Sequence, residues 1–386
     1  RDALPPSFDV YYSIKANPNQ AILRLFLGHG CGLEVASGGE LHQAISAGCK
    51  PGRIVFAGPG KTTPELREAV QNGIGEIHVE SMDEVAALER VARELGARPK
   101  VAVRVNPGEE AQGGAMRMGG KPSAFGFDEE LLEEVLDHLV ARGAFDLRGV
   151  HLFTGTQILD CEVLVRQYER GLDIAGRAAR RTGRPLATVD FGGGLGVPYY
   201  SNESELDIRN FGRELRGLMS GKAAGPEFDG TRFIVEPGRY LVAEGGVYVT
   251  RVTAVKQSRG KTFVVTDGGM NHHLAASGNL GQVIKRNFPV AVLNKLRRPP
   301  EQAVDVVGPL CTPLDVLARG VSLPAVAVGD LIGIFQSGAY ARSASPLSFL
   351  SHAAPPETMA FEGALKLIRR RAEYSALLAD QCDLEL

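Results

Sequence analysis

"TVDFGGGLG", residues 188–196, decides between two folds. A short β-branched run ends on Asp190 and passes through Phe191 into Gly192, Gly193, Gly194 and Gly196. An open doubly wound sheet advertises its nucleotide turn as G-x-G-x-x-G and needs no eighth strand. These glycines miss that spacing.

Outward from this stretch, similar runs recur: FDVYYSIKA (8–16), LEVAS (33–37), RIVFAG (53–58), EIHVES (76–81), VAVRVNP (101–107), GVHLFTG (149–155) and FIVEPG (233–238). Between them lie stretches such as TPELREAVQNG (63–73), MDEVAALERVARELG (82–96), DEELLEEVLDHLVARG (128–143) and VRQYERGLDIAGRAARRTG (165–183). Their apolar residues return at intervals of three and four, as an amphipathic helix requires. Eight strands separated by seven helices is the count of a (β/α)8 TIM barrel. The fold class is therefore α/β, with the barrel over residues 1–243.

After Tyr240 the texture changes. GGVYVTRVTAV (245–255), KTFVVTDGG (261–269), AVDVVGPL (303–310) and DLIGIFQSG (330–338) are β-rich and separated by turns. They predict a mostly antiparallel C-terminal β-domain over 244–386. Its tail, GALKLIRRRAEYSALLADQ (363–381), reads as a helix whose Arg369–Arg371 run is a solvated face.

With 386 residues the chain exceeds one small core. A net charge of −2 gives no electrostatic case for nucleic acid or an anionic membrane, and no apolar run has the length of a membrane span. Five scattered cysteines without a C-x-x-C pair argue against a disulfide framework or a zinc site. A cytoplasmic protein is expected. Adjacent His272 and His273, taken as strand neighbours, would point to opposite faces, so no metal is assigned.

In a (β/α)8 barrel the chemistry lies at the C-terminal ends of the strands. The predicted ends carry Lys15, Glu34, Glu80, Arg104, His151, the turn after Asp190, and Glu236-Pro-Gly-Arg239. Bare backbone N–H groups of consecutive glycines can surround a phosphate, and Arg239 can add a charged donor. A lysine in a desolvated cleft is a nucleophile toward a carbonyl. Singly, each feature has a plainer reading: a tight turn, a snorkelling lysine, a structural histidine. Together, a phosphate cradle, Lys15 and an acidic partner at Glu236 point to pyridoxal 5'-phosphate held as a Schiff base.

Seven stretches in order carry a resemblance: YYSIKANPN (11–19), GLEVASGGEL (32–41), HLFTGTQ (151–157), DFGGGLG (190–196), EPGRYL (236–241), GPLCTPLDVL (308–317) and GAYARSAS (338–345). They resemble the motifs of the fold-type III pyridoxal-phosphate decarboxylases, the group of the diaminopimelate, ornithine and arginine decarboxylases. The resemblance implies a lyase of amino-acid metabolism that releases carbon dioxide and an amine, working as a homodimer with shared active sites. It implies that Lys15 carries the cofactor, His151 stacks on its ring and Glu236 meets its pyridine nitrogen. Thr154, Gly193, Gly194 and Arg239 would hold the phosphate with Tyr340, and Glu34, Arg104 and Gly238 would belong to the cofactor site. Cys311 would enter from the partner subunit, and either Cys311 or Lys15 would return a proton to the α-carbon.

At the substrate end the chain departs from that pattern. Diaminopimelate decarboxylases usually read Cys-Glu-Ser-Gly-Asp where this chain has Cys311-Thr312-Pro313-Leu314-Asp315. Thr312 replaces the acid that meets the distal amino group, while Asp315 remains. Residues 271–277, NHHLAAS, offer no arginine for a distal carboxylate. These stretches resemble a biosynthetic-cluster branch that includes enzymes of carrier-protein-tethered or conjugated amino acids. The expected substrate is diaminopimelate-like, or a tethered or conjugated amino acid. Family members begin with further residues, so a missing N-terminal segment is expected as well. Two alternatives are an amino-acid racemase of the same barrel class and a non-catalytic pyridoxal-phosphate-binding regulatory homologue. The first usually shows a catalytic tyrosine opposite the lysine and lacks the GPLC segment. The second tends to lose residues such as Lys15, Glu236, Arg239 and Cys311, all present here.

Overall fold

All eight β-branched runs form strands: β1 Phe8–Ser13, β2 Gly32–Val35, β3 Ile54–Phe56, β4 Glu76–Val79, β5 Lys100–Asn106, β6 Asp146–Leu152, β7 Thr188–Asp190 and β8 Arg232–Val235. Each pairs in parallel with the next. Strand β8 returns to β1 with Phe8 opposite Phe233 and Val10 opposite Val235, which closes the barrel. The computed structural model describes residues 1–108, 116–117 without their side chains, 122–153, 155–280, 282, 284–382 and 384.

Seven helices make the crossovers: α1 Gln20–Gly28, α2 Gly38–Ser46, α3 Thr63–Asn72, α4 Met82–Leu95, α5 Leu132–Arg142, α6 Cys161–Thr182 and α7 Ile208–Gly221. Local sequence sets their ends. In α3 the Thr62 side chain accepts from Glu65 N, the Glu65 carboxylate reaches back to Thr62 N, and Gly73 ends the helix at φ +62°. A reciprocal cap of this kind is worth about 1 kcal/mol. Helix α6 buries Leu164, Tyr168, Leu172, Ala175 and Ala179 along one stripe. On its outer side Arg170 and Arg177 reach the buried Glu129 at 2.7 and 2.6 Å.

Chain contacts divide the molecule into one unit of Arg1–Pro198 with Glu203–Leu241, and a second of Tyr199–Asn202 with Val242–Leu386. The second unit holds β9 Tyr248–Ser258, β10 Lys261–Thr266, β11 Val290–Val292, β12 Gln302–Val307, β13 Val316–Leu323 and β14 Leu331–Ile334. They form one sheet in the order β11-β14-β9-β10-β12-β13, antiparallel except where β10 lies parallel to β12. No described helix is long and apolar enough to cross a membrane.

The tail corrects the sequence reading. Instead of a helix, Glu357–Phe361 and Ala364–Arg369 form a hairpin, β15 and β16, followed by a single 3-10 turn at Tyr374–Leu377. Phe361 pairs with Ala364 across Glu362 at φ +52° and Gly363 at φ +76°. Two successive left-handed residues make the tight turn that suits strand twist, so turn chemistry at Gly363 overrode the helix formers after it. His272 and His273 likewise lie in a turn rather than on a strand, and they separate toward different partners. Tyr248 Oη lies 3.1 Å from His272 Nδ1, and Ser337 Oγ lies 2.9 Å from His273 Nε2.

Candidate active site

Lys15 leaves β1 on the 3-10 turn Ile14–Ala16, between two buried neighbours. Its ammonium lies 2.9 and 2.7 Å from the two oxygens of Glu34, an inward residue of β2. Exposure is uneven: 44% for the lysine side chain against 2% for the glutamate. Ser13 Oγ also donates to Glu34 Oε2, so the carboxylate is fixed from two sides. The lysine thus avoids burial as a lone charge by emerging at the mouth beside a buried acid. Glu40 is a second acid nearby; burial and the charge on Glu34 raise its pKa, opposed by Lys15 and the Ala36 N–H.

Strand registry builds the rest of the interior. Arg104 sits beside His151, and His151 beside Asp190. Arg104 Nη1 donates to Glu80 Oε1 at 2.8 Å, and its guanidinium lies over Phe125 at 5.0 Å and Phe153 at 6.0 Å. Glu80 also accepts from Gly58 N and Gly126 N, at 2.5 and 3.1 Å. Against burial, Arg104 and Lys61 hold its carboxyl below the ordinary range.

His151 lies face to face with His78, ring centroids 4.3 Å apart and planes 26° apart. Its Nε2 is 3.4 Å from Glu236 Oε2. Burial first, then the neighbouring His78 and Arg104, keep His151 neutral by pushing its pKa well below the ordinary value. Both imidazoles, Asp190 and Glu236 bring nitrogen and oxygen atoms within 4.8 Å of one another.

The glycine turn is shaped by close approach. Gly192, at φ +66°, donates to Asp190 Oδ1 at 2.8 Å, and a side chain on Gly193 would meet the Glu236 carbonyl at 2.9 Å. Ile158 ties the turn down, donating to Gly194 O at 2.9 Å and accepting from Gly196 N at 3.0 Å. Gln157, itself at φ +61°, grips Val197 at both ends of its amide: Val197 N donates to Oε1 at 3.1 Å and Nε2 donates to Val197 O. At Gly238 a side chain would meet Ser13 and Ala16 at 3.1 Å, so only glycine brings the Glu236-Pro-Gly turn against the lysine turn. Arg239 follows at once, half-buried, opening the short helix Arg239–Val242.

Of the residues singled out in the sequence, Lys15, Glu34, Arg104, His151, Gly193, Gly194, Glu236, Gly238 and Arg239 all belong to the barrel unit, at its strand ends and the turns after them. Thr154 lies outside the described residues. Cys311, Thr312, Asp315 and Tyr340 belong to the second unit. There Cys311 is exposed, and Thr312 Oγ1 accepts from Leu314 N at 3.3 Å within its own turn. Asp315 is buried with its oxygens taken by Met270 N at 2.7 Å and Leu310 N at 2.9 Å, so it braces two turns. A substrate contact by Asp315 was the expectation from the sequence, and these two bonds fix the carboxylate in its turn. Tyr340 adopts φ +56°, an uncommon conformation for a side chain of its size.

Four contributors escaped the sequence reading: Ser13, Lys61, His78 and Gln157. A signal for His78 existed, since Glu76 and His78 alternate along β4 with Glu80 next in the same phase just past its end.

The arrangement fits a phosphorylated pyridine aldehyde. Glu236 Oε1 is buried with no hydrogen-bond partner among the described residues, as an acceptor awaiting a ring N–H would be. Both ring nitrogens of His151 are likewise buried without a hydrogen bond among the described residues, leaving an imidazole available for stacking. The glycine turn stands on the adjacent strand end.

Comparison with known proteins agrees. The pyridoxal-binding domain of the pyridoxal-dependent decarboxylases matches residues 1–243. The chain is 39% identical over 388 residues to the L-glutamyl-[BtrI acyl-carrier protein] decarboxylase of Niallia circulans, covering 100% of this chain and 90% of the relative. It is 33% identical to the diaminopimelate decarboxylase of Zymomonas mobilis, covering 97% and 86% of the two chains. The solved diaminopimelate decarboxylase of M. jannaschii in complex with L-lysine superposes with a TM-score of 0.88 at 28% identity, over 98% of this chain and 85% of that one.

Proposed function

Because this chain belongs to the pyridoxal-dependent decarboxylase family, we propose that it removes the α-carboxylate of a carrier-tethered or otherwise conjugated amino acid, using Lys15 to carry the cofactor. Pyridoxal phosphate, when bound, supplies the electron sink for the charge left by the departing carboxylate. Everything else falls to the protein. Lys15 Nζ would be the amine that holds the cofactor's aldehyde carbon. Glu34 holds Lys15 Nζ at the mouth, 2.7 Å away. Glu236 Oε1 would accept the ring N–H, and His151 would lie against the ring. N–H groups of Gly193 and Gly194 would surround the phosphate, with Gly238, Arg239 and, from their positions in the sequence, Thr154 and Tyr340. Arg104 would line the ring pocket through its bond to Glu80. Lys15 Nζ, or Cys311 Sγ from a second copy, would return the proton to the α-carbon. The exposed Cys311 supports a homodimer with shared sites. Scattered, unpaired cysteines support a cytoplasmic setting.

One observation carries the reading: a mouth lysine held by a buried glutamate, beside a glycine turn and a buried acid with an open oxygen. Support for a tethered or conjugated substrate comes from Thr312 in the place of an acid, and from the relative that acts on a glutamyl group borne by an acyl carrier protein. The experiment is carbon dioxide release by cofactor-loaded protein. The panel holds free meso-diaminopimelate, lysine, ornithine, arginine and glutamate, and glutamate as a thioester on a phosphopantetheinyl carrier protein. Release from the thioester alone is expected, with Lys15→Ala abolishing both release and the visible absorbance of bound cofactor. Efficient release from free diaminopimelate would overturn the substrate assignment. Loss of neither signal in Lys15→Ala would overturn the role of the lysine.

A further inference from the structure

Glu236 has a buried acidic neighbour that no part of the proposed reaction uses. Asp190 is fully buried at the end of β7, and its Oδ1 accepts from Gly192 N at 2.8 Å. Its Oδ2 and Glu236 Oε1 are buried carboxylate oxygens without a hydrogen-bond donor among the described residues. Several charged or titratable groups among the described residues stand around them. From β4 come Glu76 and His78, with His78 Nε2 3.8 Å from Glu76 Oε2 and 3.9 Å from Asp190 Oδ2. Thr188 Oγ1, on β7 itself, donates to Glu76 Oε2 at 3.0 Å. From β6 comes His151, kept neutral by burial. Arg104, on β5, is committed to Glu80 at 2.8 Å, and Lys15 to Glu34. Two ionised carboxylates side by side in such an interior repel, and neither can donate to the other.

We propose that Asp190 and Glu236 hold one proton between them, and that Asp190 is thereby the positioning residue for the carboxylate that meets the cofactor's ring nitrogen. One proton satisfies both open oxygens and leaves the pair with a single negative charge. Each carboxylate oxygen has two lone-pair sites, so Glu236 can take this proton and still accept a ring N–H. Neutral Asp190 accepts from Gly192 through Oδ1 and donates to Glu236 through Oδ2. It therefore ties the phosphate turn to the ring-nitrogen partner through one side chain. Burial first, then the charge of Glu236, raise the Asp190 pKa well above the ordinary value, in the same sense.

This inference rests on the proposed function only for the identity of the ring. Its first test needs no cofactor. Infrared spectra of the cofactor-free protein near neutral pH should contain a protonated-carboxyl C=O stretch that shifts in D2O and is missing in Asp190→Asn. Absence of that band in the wild type, or its survival in Asp190→Asn, would overturn the inference, whether the proton sits on His78 or nowhere in the cluster.

The second test uses pyridoxal phosphate. Asparagine reproduces the neutral acid, with Oδ1 for Gly192 and an N–H for Glu236. Asp190→Ala should weaken cofactor binding roughly ten- to a hundredfold, the size of a lost charge-assisted hydrogen bond. Asp190→Asn should recover most of that loss. Equal losses in the two variants would mean that Asp190 does not act by donating to Glu236. If no variant, the wild type included, binds pyridoxal phosphate through Lys15, the functional reading falls while the infrared result still decides the shared proton.

Discussion

At the scale of single residues, the site depends on side chains that imitate backbone. Gln157 is the plainest case, its amide satisfying both the N–H and the carbonyl of Val197 and so closing the far end of the glycine turn. Its left-handed φ of +61° is a strain that these two bonds offset. Gln157→Ala should leave the fold intact and weaken pyridoxal phosphate binding about tenfold by loosening the cradle. Gln157→Glu keeps the acceptor and loses the donor, so its affinity should fall between the two. Equilibrium dialysis against cofactor-free protein measures both, and full affinity in the alanine variant would remove Gln157 from the site. In the sequence Gln157 was merely the end of a motif, because nothing local says which backbone a long amide will reach. Lys15, Glu34 and Glu236 stood out for the opposite reason: each is a charged residue in or at the end of an apolar strand run. The two backbone N–H groups that Asp315 accepts from were not legible, since nothing local in its motif says which turns an acid will brace.

At the scale of elements, the barrel was legible because eight buried parallel strands must be nearly continuous apolar runs, and helices must separate them. The tail was not, because a hairpin turn set by two residues outvoted the helix formers around it. Between these extremes lie contacts that join one element to the next. Lys61, just before α3, has a side chain only 1% exposed; it donates to Gly58 O and His78 O and pairs with Glu84 of α4 at 2.9 Å. Glu84 in turn accepts from Glu80 N at 3.2 Å, the residue that holds Arg104. This chain of contacts carries the site's geometry down to two outer helices. Lys61→Met would leave the Glu84 carboxyl buried without its ammonium, and burial already raises its pKa. Removing one partner of a buried ion pair costs about 3–5 kcal/mol, whereas replacing both with apolar groups is often neutral. Lys61→Met should therefore lower unfolding free energy by about 3–5 kcal/mol, and adding Glu84→Leu should restore much of it. Urea unfolding of the three proteins decides, and additive losses in the double variant would show that the two side chains do not act as a pair.

For the whole molecule, acid should act on the second unit through two histidines that have no part in the proposed chemistry. Burial lowers His272 to about 4, helped by His352 and Arg371, and lowers His273 to about 3. Both are neutral in the folded protein and take up protons when it unfolds near or below the ordinary value of 6.5. Their contribution to stability is therefore complete above about pH 6.5 and is lost as the pH falls toward about 4 and then about 3. Asp315 works in the opposite direction, because burial raises its pKa and its contribution fades as the pH rises. A difference between variants removes that complication, since Asp315 is common to all of them. His273→Gln should lower the melting temperature at pH 7.5, through loss of the bonds to Ser337 and Ala276. The same substitution should flatten the decline of melting temperature between pH 7 and pH 4.5, because the group that must charge on unfolding is gone. His272→Gln should flatten it about as much, since both imidazoles stay largely neutral in the fold down to pH 4.5. Calorimetric scans across that range give the slopes directly, and a His273→Gln slope as steep as wild type would place the acid sensitivity elsewhere. With Asp190 holding a proton in the barrel and His273 refusing one in the second unit, burial acts on both by the same rule: in a low-dielectric interior each group keeps its neutral form unless a partner pays for the charge.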